Sequence, residues 1–538
     1  MSTKNWLAHY PDSASREVEI PDITLPTMLD DTAEQYPEHI ALSFYGKKIT
    51  YRELRQHVRL FAASLQAGGF EKGGRVAVML PNCPQYVISY YGILAAGGIV
   101  TQVNPMSVER EIEYILNDSG AERMIALDAF YPKVSSVRSN TPLKEIIAVS
   151  LQPSAVDFGE DSTFESFLQR GKGNFAPVMM EPEHDTAVLQ YTGGTTGRSK
   201  GAMLTHRNII ANVVQSYEFF KQTIDIGEER YLTVIPLFHV FGMTSCMNLS
   251  IYTASESIML PRFELDEVLE TIKNEQPTVF PGVPTMYGAI TNHPRAEEYG
   301  IDSIEVCNSG SAPMPVEVLK EFERKTGAVI LEGYGLSEAS PTTHCNPVFA
   351  ARKAGSVGIG FPSTDYKIVD LASGSQEVPA GELGEVIIKG PQVMKGYWNM
   401  PEETAHALRD GWLYTGDIAR VDEEGYLYIV DRKKDMIIAS GYNIYPRDIE
   451  EVLYEHPAVQ EAVVIGVPDA YRGEDVKAVI VLKSGKLADE KEIMEFCRAN
   501  MAAYKVPGII EFRDALPKTS VGKILRRALR EEAGTGRR

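Results

Sequence analysis

Short apolar runs alternate with stretches of helical spacing through the first part of the chain. RVAVML (75–80) reads as a strand, and a helix follows through Tyr86 to Leu94. IVTQV (99–103) is strand-like again. In VEREIEYILNDSG, Ile112, Ile115 and Leu116 fall at helical spacing, and Gly120 supplies the stop. RMIAL (123–127) and EIIAV (145–149) are the next strands. Strand, helix and strand in close succession predict βαβ units and a largely parallel sheet. A second such stretch begins near Thr186. AVLQY is short and apolar. After a Gly/Thr-rich loop and a short strand, Thr205 caps a helix with Ile209, Ile210, Val213, Val214, Tyr217 and Phe220 on one face.

From about Ala351 the texture changes. Glycine and proline rise, and runs such as KIVD and EVIIKG predict a β-rich subdomain over about 351–431. The C-terminal part reads as a separate small α+β unit. AVVIGV (462–467) and KAVIVL (477–482) are its strands, a helix runs from Asp489 to Met501, and the tail EEAGTGRR is expected to fray. The charged segment DRKKD (431–435) marks the boundary. The expected fold class is therefore α/β: a large domain (1–433) of parallel-rich sheets with a β-rich subdomain, and a small, mobile α+β domain (434–538).

Composition narrows the function. With 53 basic and 73 acidic side chains the net charge is −20, which argues against a broadly basic nucleic-acid-binding surface. A local anion pocket stays open, because a few lysines can dominate a cleft. The five cysteines are dispersed and form no CxxC pair, as expected of free thiols in a reducing compartment. MSTKNWLAHYPDS has no apolar signal core, and Ile88 to Val103 is short and broken by Gly92, Gly97 and Gly98. The expected location is the cytoplasm.

The strongest local signal is YTGGTTGRSKG (191–201). Glycines can turn backbone N–H groups toward an anion, Thr192, Thr195 and Thr196 add hydroxyls, and Lys200 adds charge. This is a phosphate cradle without the Walker pattern, since no Ser or Thr follows the lysine. In GYGLSE (333–338), Tyr334 could stack on a base, Ser337 could donate to a phosphate and Glu338 could hold magnesium. The competing reading is a strand-to-loop turn with surface polar groups. Asp417 suits ribose hydroxyls and Arg432 suits phosphate, on a segment that also reads as a hairpin turning at Asp422 to Gly425. A lone histidine such as His239 in PLFHVFG is more often a satisfied core residue than a catalyst, and Lys523 follows a glycine-containing loop before a basic helix of the kind that is usually a solvated face.

Taken in order, these motifs resemble the adenylate-forming superfamily of acyl-CoA synthetases, firefly-type luciferases and peptide-synthetase adenylation domains. The set runs through KITYREL (48–54), YTGGTTGRSKG, PLFHVFG, NSGSAPM (308–314), GYGLSE, DGWLYTGDIA (410–419), DRKKD, SGYNIYPRDIE (440–450) and LPKTSVGKILRR. Within it, Gly193-Gly194 and PLFHVFGMT are most similar to bacterial long-chain fatty-acid–CoA ligases.

The resemblance implies a two-step reaction with ATP, a fatty acid and coenzyme A as substrates and Mg2+ as cofactor. Acyl-AMP forms with loss of pyrophosphate, and the CoA thiol then displaces AMP. Neither step needs a covalent enzyme intermediate, so positioning and charge neutralisation carry catalysis. It assigns Thr192, Gly193, Gly194, Thr195, Thr196, Gly197 and Lys200 to the β- and γ-phosphates. Gly310, Ser311, Ala312 and Pro313 line the adenine and ribose, with Tyr334 and Gly335 at the base. Ser337 meets the α-phosphate, Glu338 the metal, and Asp417 the ribose beside Arg432. Lys523 bridges acyl carboxylate and phosphate, and His239 lies near the acyl-AMP. Lys434 is the hinge about which the small domain rotates, bringing Ser440, Gly441 and Asn443 to the site, the first two for CoA and Asn443 for the nucleotide.

Three positions depart from the family pattern. Ser337 replaces threonine, and Ile438 and Ser440 stand where coumarate-ligase and luciferase relatives carry lysines, which argues against an aryl substrate. A medium-chain or aryl acid, or a carrier-protein thiol as acceptor, is the alternative reading. A non-catalytic binder and a P-loop NTPase are the rivals from other classes. A homodimer and transient peripheral membrane contact are left open.

Overall fold

The computed structural model describes residues 5–11, 14–171, 175–192, 199–312, 314–348, 351–439, 442–469, 472–519 and 522–535. Of the expected site residues, Gly193, Gly194, Thr195, Thr196, Gly197, Pro313, Ser440 and Gly441 lie outside this set.

Two large sheets build the first part of the chain. In the eight-stranded sheet, Thr186–Thr192, Ile99–Gln102, Arg75–Met79, Arg123–Leu127 and Glu145–Val149 run parallel in that spatial order. Lys200–Thr205 returns antiparallel on Thr186–Thr192. In the nine-stranded sheet, Val329–Gly335, Val306–Ser309, Val279–Gly282, Arg230–Thr233, Glu256–Met259 and Ile40–Phe44 are parallel neighbours. The strand Arg75–Met79 shows why these runs do not alternate. Val76 and Val78 enter the main core, while Ala77 and Met79 enter a second core with Ile112, Ile115 and Leu116 of the helix Glu109–Ser119. Both faces are covered, so both must be apolar.

The main core is continuous between the two large sheets, and the helices Tyr51–Ala67, Pro84–Ala95 and His206–Phe220 contribute to it. Gly92 has a packing reason for interrupting its apolar helix. A Cβ there would lie 2.5 Å from Phe61 Cδ1, so glycine lets the two helices close on each other. Among the described residues no helix is long and apolar enough to cross a membrane. Local chemistry sets the helix ends: Thr50 and Glu53 form a capping box, Thr205 and Asn208 form another, and Gly120 at φ 65° ends its helix.

Two smaller antiparallel-rich sheets follow. The first contains Asp365–Val369, Gly384–Lys389, Trp412–Val421 and Leu427–Arg432. The hairpin between its last two strands turns at Asp422, whose carbonyl accepts the Gly425 N–H at 3.0 Å. The second comprises Ile437–Ala439, Tyr442–Ile444, Val459–Asp469, Gly473–Leu482 and Ile509–Phe512, with its own core on the helices Pro446–Glu455 and Glu490–Asn500. The fold is thus mixed α/β, with parallel-rich sheets and a separate β-rich C-terminal unit. One expectation is corrected. The C-terminal tail does not fray from Glu531, because the helix Arg526–Thr535 continues into it as far as Thr535. Leu529 is buried against Val463 and Ile465, and Arg530 and Glu532 find charged partners in Asp435 and Arg513.

Gly358 tests the close backbone packing beside the nine-stranded sheet. Its φ is 79°, and a Cβ would fall 2.0 Å from the Cys345 carbonyl. Gly355 shares that conformation (φ 78°) with open space around it. Gly358→Ala is expected to destabilise by more than about 1 kcal/mol, and by more than Gly355→Ala, in paired thermal unfolding scans.

Candidate functional site

The strands Thr186–Thr192, Val306–Ser309 and Val329–Gly335 all run into the chemistry-bearing loops at their carboxyl ends. That edge is where open parallel sheets bind ligands. Thr192 and Lys200 are cross-strand partners at the mouth of the Gly/Thr loop, and Ser199 Oγ donates to the Thr192 carbonyl at 2.6 Å. Tyr191 just before it donates to Asp118 Oδ2 at 2.5 Å. The ends of the cradle are therefore fixed by the sheet.

Lys200 Nζ pairs with Glu403 and lies 5.1 Å above the ring centre of Tyr397. The Tyr397 hydroxyl donates to Glu338 Oε1 at 2.7 Å, and the Met394 N–H donates to the Glu338 carbonyl at 2.8 Å. Tyr397 thus ties the metal candidate to the loop lysine. Neither Tyr397 nor Glu403 was singled out from the sequence. Their signal, a tyrosine and a carboxylate flanking the helix start in GYWNMPEET, was visible but had no stated role.

A second cluster centres on Asp417, which is buried. Its Oδ2 accepts from the Tyr334 hydroxyl at 2.5 Å, and Arg432 Nε lies 3.2 Å from its Oδ1. Asp417 and Arg432 are direct partners across the hairpin, so the hairpin reading and the functional reading are both satisfied. Burial, and then the Asp417 charge, push the Tyr334 phenol well above its ordinary range, so the hydroxyl stays a donor. Arg432 is held more firmly protonated, chiefly by Asp417. Gly335 is required by close approach, since a Cβ would lie 2.2 Å from the Pro341 carbonyl oxygen. Ser337 opens a short 3-10 turn, Ser337–Ala339, that carries Glu338. On the neighbouring loop the Gly310 N–H donates to the Gly282 carbonyl at 3.3 Å, Ser311 sits at φ 68°, and Ala312 is exposed.

Lys523 enters from the C-terminal unit. Its loop is closed by mutual bonds with Thr519, at 2.7 Å and 3.1 Å. Gly522 brings the loop against Thr285 of the large domain, close enough that a Cβ would lie 3.0 Å from Thr285 Oγ1. Solvent still reaches the Lys523 residue, yet the protein around its ammonium lowers its pKa to about 8. Repulsion from Arg432 adds to this effect, and attraction to Asp417 opposes it. Burial, and then the Lys523 charge, bring His239 down to about 4, so its imidazole is neutral at pH 7. The Phe241 N–H donates to His239 Nδ1 at 3.3 Å, which puts the ring proton on Nε2. His239 is therefore a half-buried histidine and an electrostatic neighbour of Lys523. A π-helical stretch, Gly242–Asn248, begins three residues after His239.

Lys434 lies in the turn between Leu427–Arg432 and Ile437–Ala439, with its pKa lowered by burial and then by Arg432. Beside it an ionic seam joins the two units. Arg526 bonds Glu450 at 2.6 Å and lies 3.8 Å from both Asp431 and Asp435. Arg530 bonds Asp435 at 2.8 Å, and the Arg447 N–H donates to Asp431 at 3.1 Å. Burial raises Asp431 to about 6, against the pull of Arg526. Asn443 is not brought to this cluster. It is exposed and pairs with Ile438 on the hairpin of the small sheet.

Among the described residues no group of three or more His, Cys, Asp or Glu could hold a metal by itself. A single carboxylate, Glu338, fits an ion that takes its other ligands from phosphates and water. Against one face of the nine-stranded sheet lies a small apolar cavity of about 30 Å³, whose lining includes Val279 and Val306 at the starts of their strands, Leu331, and Ser216, Phe220 and Ser245.

The sequence model described as AMP-binding enzyme matches residues 29–398, and the one described as AMP-binding enzyme C-terminal domain matches 448–523. The chain is 50% identical to a long-chain-fatty-acid–CoA ligase of Bacillus subtilis (strain 168) over 99% of its own length and 98% of the relative's. It is also similar to the crystal structure of ATP-bound MatB from Rhodopseudomonas palustris, with TM-score 0.86, 31% identity, and coverage of 95% of this chain and 99% of that one. The apo structure of the same protein matches at 0.76, with 30% identity over the same shares.

The Lys523 environment can be tested without knowing its role. Acetylation by acetic anhydride, followed by peptide mass spectrometry across pH, is expected to give a midpoint near 8 for Lys523. A midpoint near 10.5, that of a free lysine, would contradict the crowded cationic setting.

Proposed function

The chain belongs to the AMP-binding enzyme family, and on that premise we propose that it ligates a long-chain fatty acid to coenzyme A at the expense of ATP. The observation that carries the reading is the delivery of Lys523 by a separate domain into the field of Asp417, Arg432 and His239. In the first step a carboxylate oxygen attacks the α-phosphorus, the bond to pyrophosphate breaks, and acyl-AMP forms. In the second the CoA sulfur attacks the acyl carbonyl, the bond to AMP breaks, and the thiol proton is lost.

The chain's own residues work by position and charge. Lys200 and the loop after Thr192 hold the β- and γ-phosphates. Tyr334 stacks on adenine while its hydroxyl fixes Asp417, leaving that carboxylate oriented for the ribose hydroxyls with Arg432 alongside. Gly310, Ser311, Ala312 and Pro313 line the nucleoside, Gly335 admits it, and Ser337 meets the α-phosphate. Lys523, an ammonium below about pH 8, bridges carboxylate and phosphate where negative charge gathers. Glu338 would hold a magnesium ion, which when bound neutralises charge on the triphosphate. Neutral His239 borders the acyl end without adding positive charge of its own.

The domain boundary falls at Lys434, about which the small domain turns to bring Ser440, Gly441 and Asn443 to the thioester-forming site. The better match to ATP-bound than to apo MatB supports reading the present arrangement as the adenylating one. The acyl chain enters the cavity beside Ser245 and Leu331, which lie on the elements leading from His239 and to Tyr334. That cavity is far below the ~300–1,000 Å³ of a ligand pocket, so its walls must part on binding. Five buried free cysteines fit the cytoplasm as its location.

Lys523→Ala is expected to lower acyl-AMP formation by about 100-fold or more while sparing thioester formation from supplied acyl-AMP. Equal loss in both half-reactions would contradict the two-state account. Ser245→Phe should fill the cavity and cut kcat/KM for long-chain acids more than for hexanoate. Products are identified by mass spectrometry with CoA and a range of acids. Acyl-AMP without thioester would instead favour a different acceptor, and an aryl product a different acid.

A further inference from the structure

Lys200 and Glu403 are 203 residues apart, and the fold has a specific way of bringing them together. The strand Gly396–Tyr397 adds to the edge of Lys200–Thr205, with Tyr397 opposite Ala202. The Trp398 N–H donates to the Gly201 carbonyl at 2.8 Å. Thr404 Oγ1 then accepts the Tyr397 N–H at 2.9 Å and donates to the Met400 carbonyl at 2.8 Å. This clamps the helix Pro401–Ala407 to the strand and aims Glu403 at Lys200.

The two partners are unequal. The Lys200 side chain is 16% exposed and lies over the Tyr397 ring, whereas that of Glu403 is 41% exposed. A mostly covered ammonium left without an anion is costly. A carboxylate already facing water can leave its partner at little cost. The pair is therefore built to be broken from one side: Lys200 always needs an anion, and Glu403 is the replaceable one.

We propose that Glu403 is a displaceable counter-anion for Lys200, exchanged for the terminal phosphates of ATP on binding and restored as pyrophosphate leaves. Glu403 is a positioning residue, acting through Lys200 rather than on a reacting atom. Its presence weakens the hold on ATP and on pyrophosphate alike, and so favours product escape. This rests on the reading of Lys200 as a phosphate ligand. The hydrogen bond from Lys200, and then its charge, also keep the Glu403 carboxyl below the ordinary carboxylate range, so Glu403 is an anion at neutral pH.

The test is equilibrium binding of Mg-ATP and of pyrophosphate to the full chain carrying Glu403→Gln, Lys200→Met, or both. Steady-state KM values for ATP and fatty acid are measured beside it. Glu403→Gln is expected to tighten ATP and pyrophosphate by about threefold to tenfold and to leave the fatty-acid KM unchanged. The gain should vanish in the Lys200→Met background, because the effect passes through that lysine. Unchanged or weaker ATP binding in Glu403→Gln overturns the proposal, as does a gain that survives without Lys200. If Lys200→Met alone leaves ATP binding unaltered, the phosphate reading of Lys200 fails first and this proposal falls with it.

Discussion

One charge has to stand in an uncomfortable place. Lys523 must carry its ammonium into a cleft that already holds the Arg432 guanidinium, with Asp417 favouring it there. Crowding and repulsion lower its pKa toward the working range, so its proton is held less tightly than that of a surface lysine. The same charge suppresses protonation of His239. A cationic cluster of this kind is poorly stabilised by itself and well stabilised by an anionic ligand. The cleft thus favours phosphate and carboxylate together, as adenylation requires.

Holding that lysine in place falls to the ionic seam at the domain joint. Arg526 and Arg530 reach from the last helix to Asp431 and Asp435, which flank Lys434, and Glu450 holds Arg526 from the other side. Removing one member of such a partly buried network leaves a charge uncompensated, at a cost of about 3–5 kcal/mol. The helix that places Lys523 is thereby anchored a few residues beyond it. This also explains why the C-terminal tail remains helical where its composition suggests fraying.

The seam and the Lys200–Glu403 pair differ in exposure. In the seam the carboxylates of Asp431, Asp435 and Glu450 are all covered, whereas Glu403 faces solvent. The seam therefore fixes geometry, and the pair with an exposed member can exchange it. The rigid parts, by contrast, are apolar. The two large sheets share one continuous core, and the strand ends that present the nucleotide residues are fixed by it.

The strands at 75–79, 123–127 and 145–149, the stop at Gly120 and the cap at Thr205 follow from the sequence alone, because each depends on residues within a turn or two. The motif residues Lys200, Glu338, Asp417, Arg432 and Lys523 are also legible there, since their chemistry belongs to the side chain itself. Their pairing is not. Tyr334 and Asp417 are 83 residues apart, and Lys200 and Glu403 are 203 apart. Which carboxylate meets which cation depends on strand order and on how one domain seats against another. The pKa values of His239 and Lys523 depend on surroundings assembled from several elements, so no local pattern encodes them. The sequence determined which groups were available for the chemistry, and the tertiary structure decided which of them share a field, because electrostatic energy depends on distance in space and not along the chain.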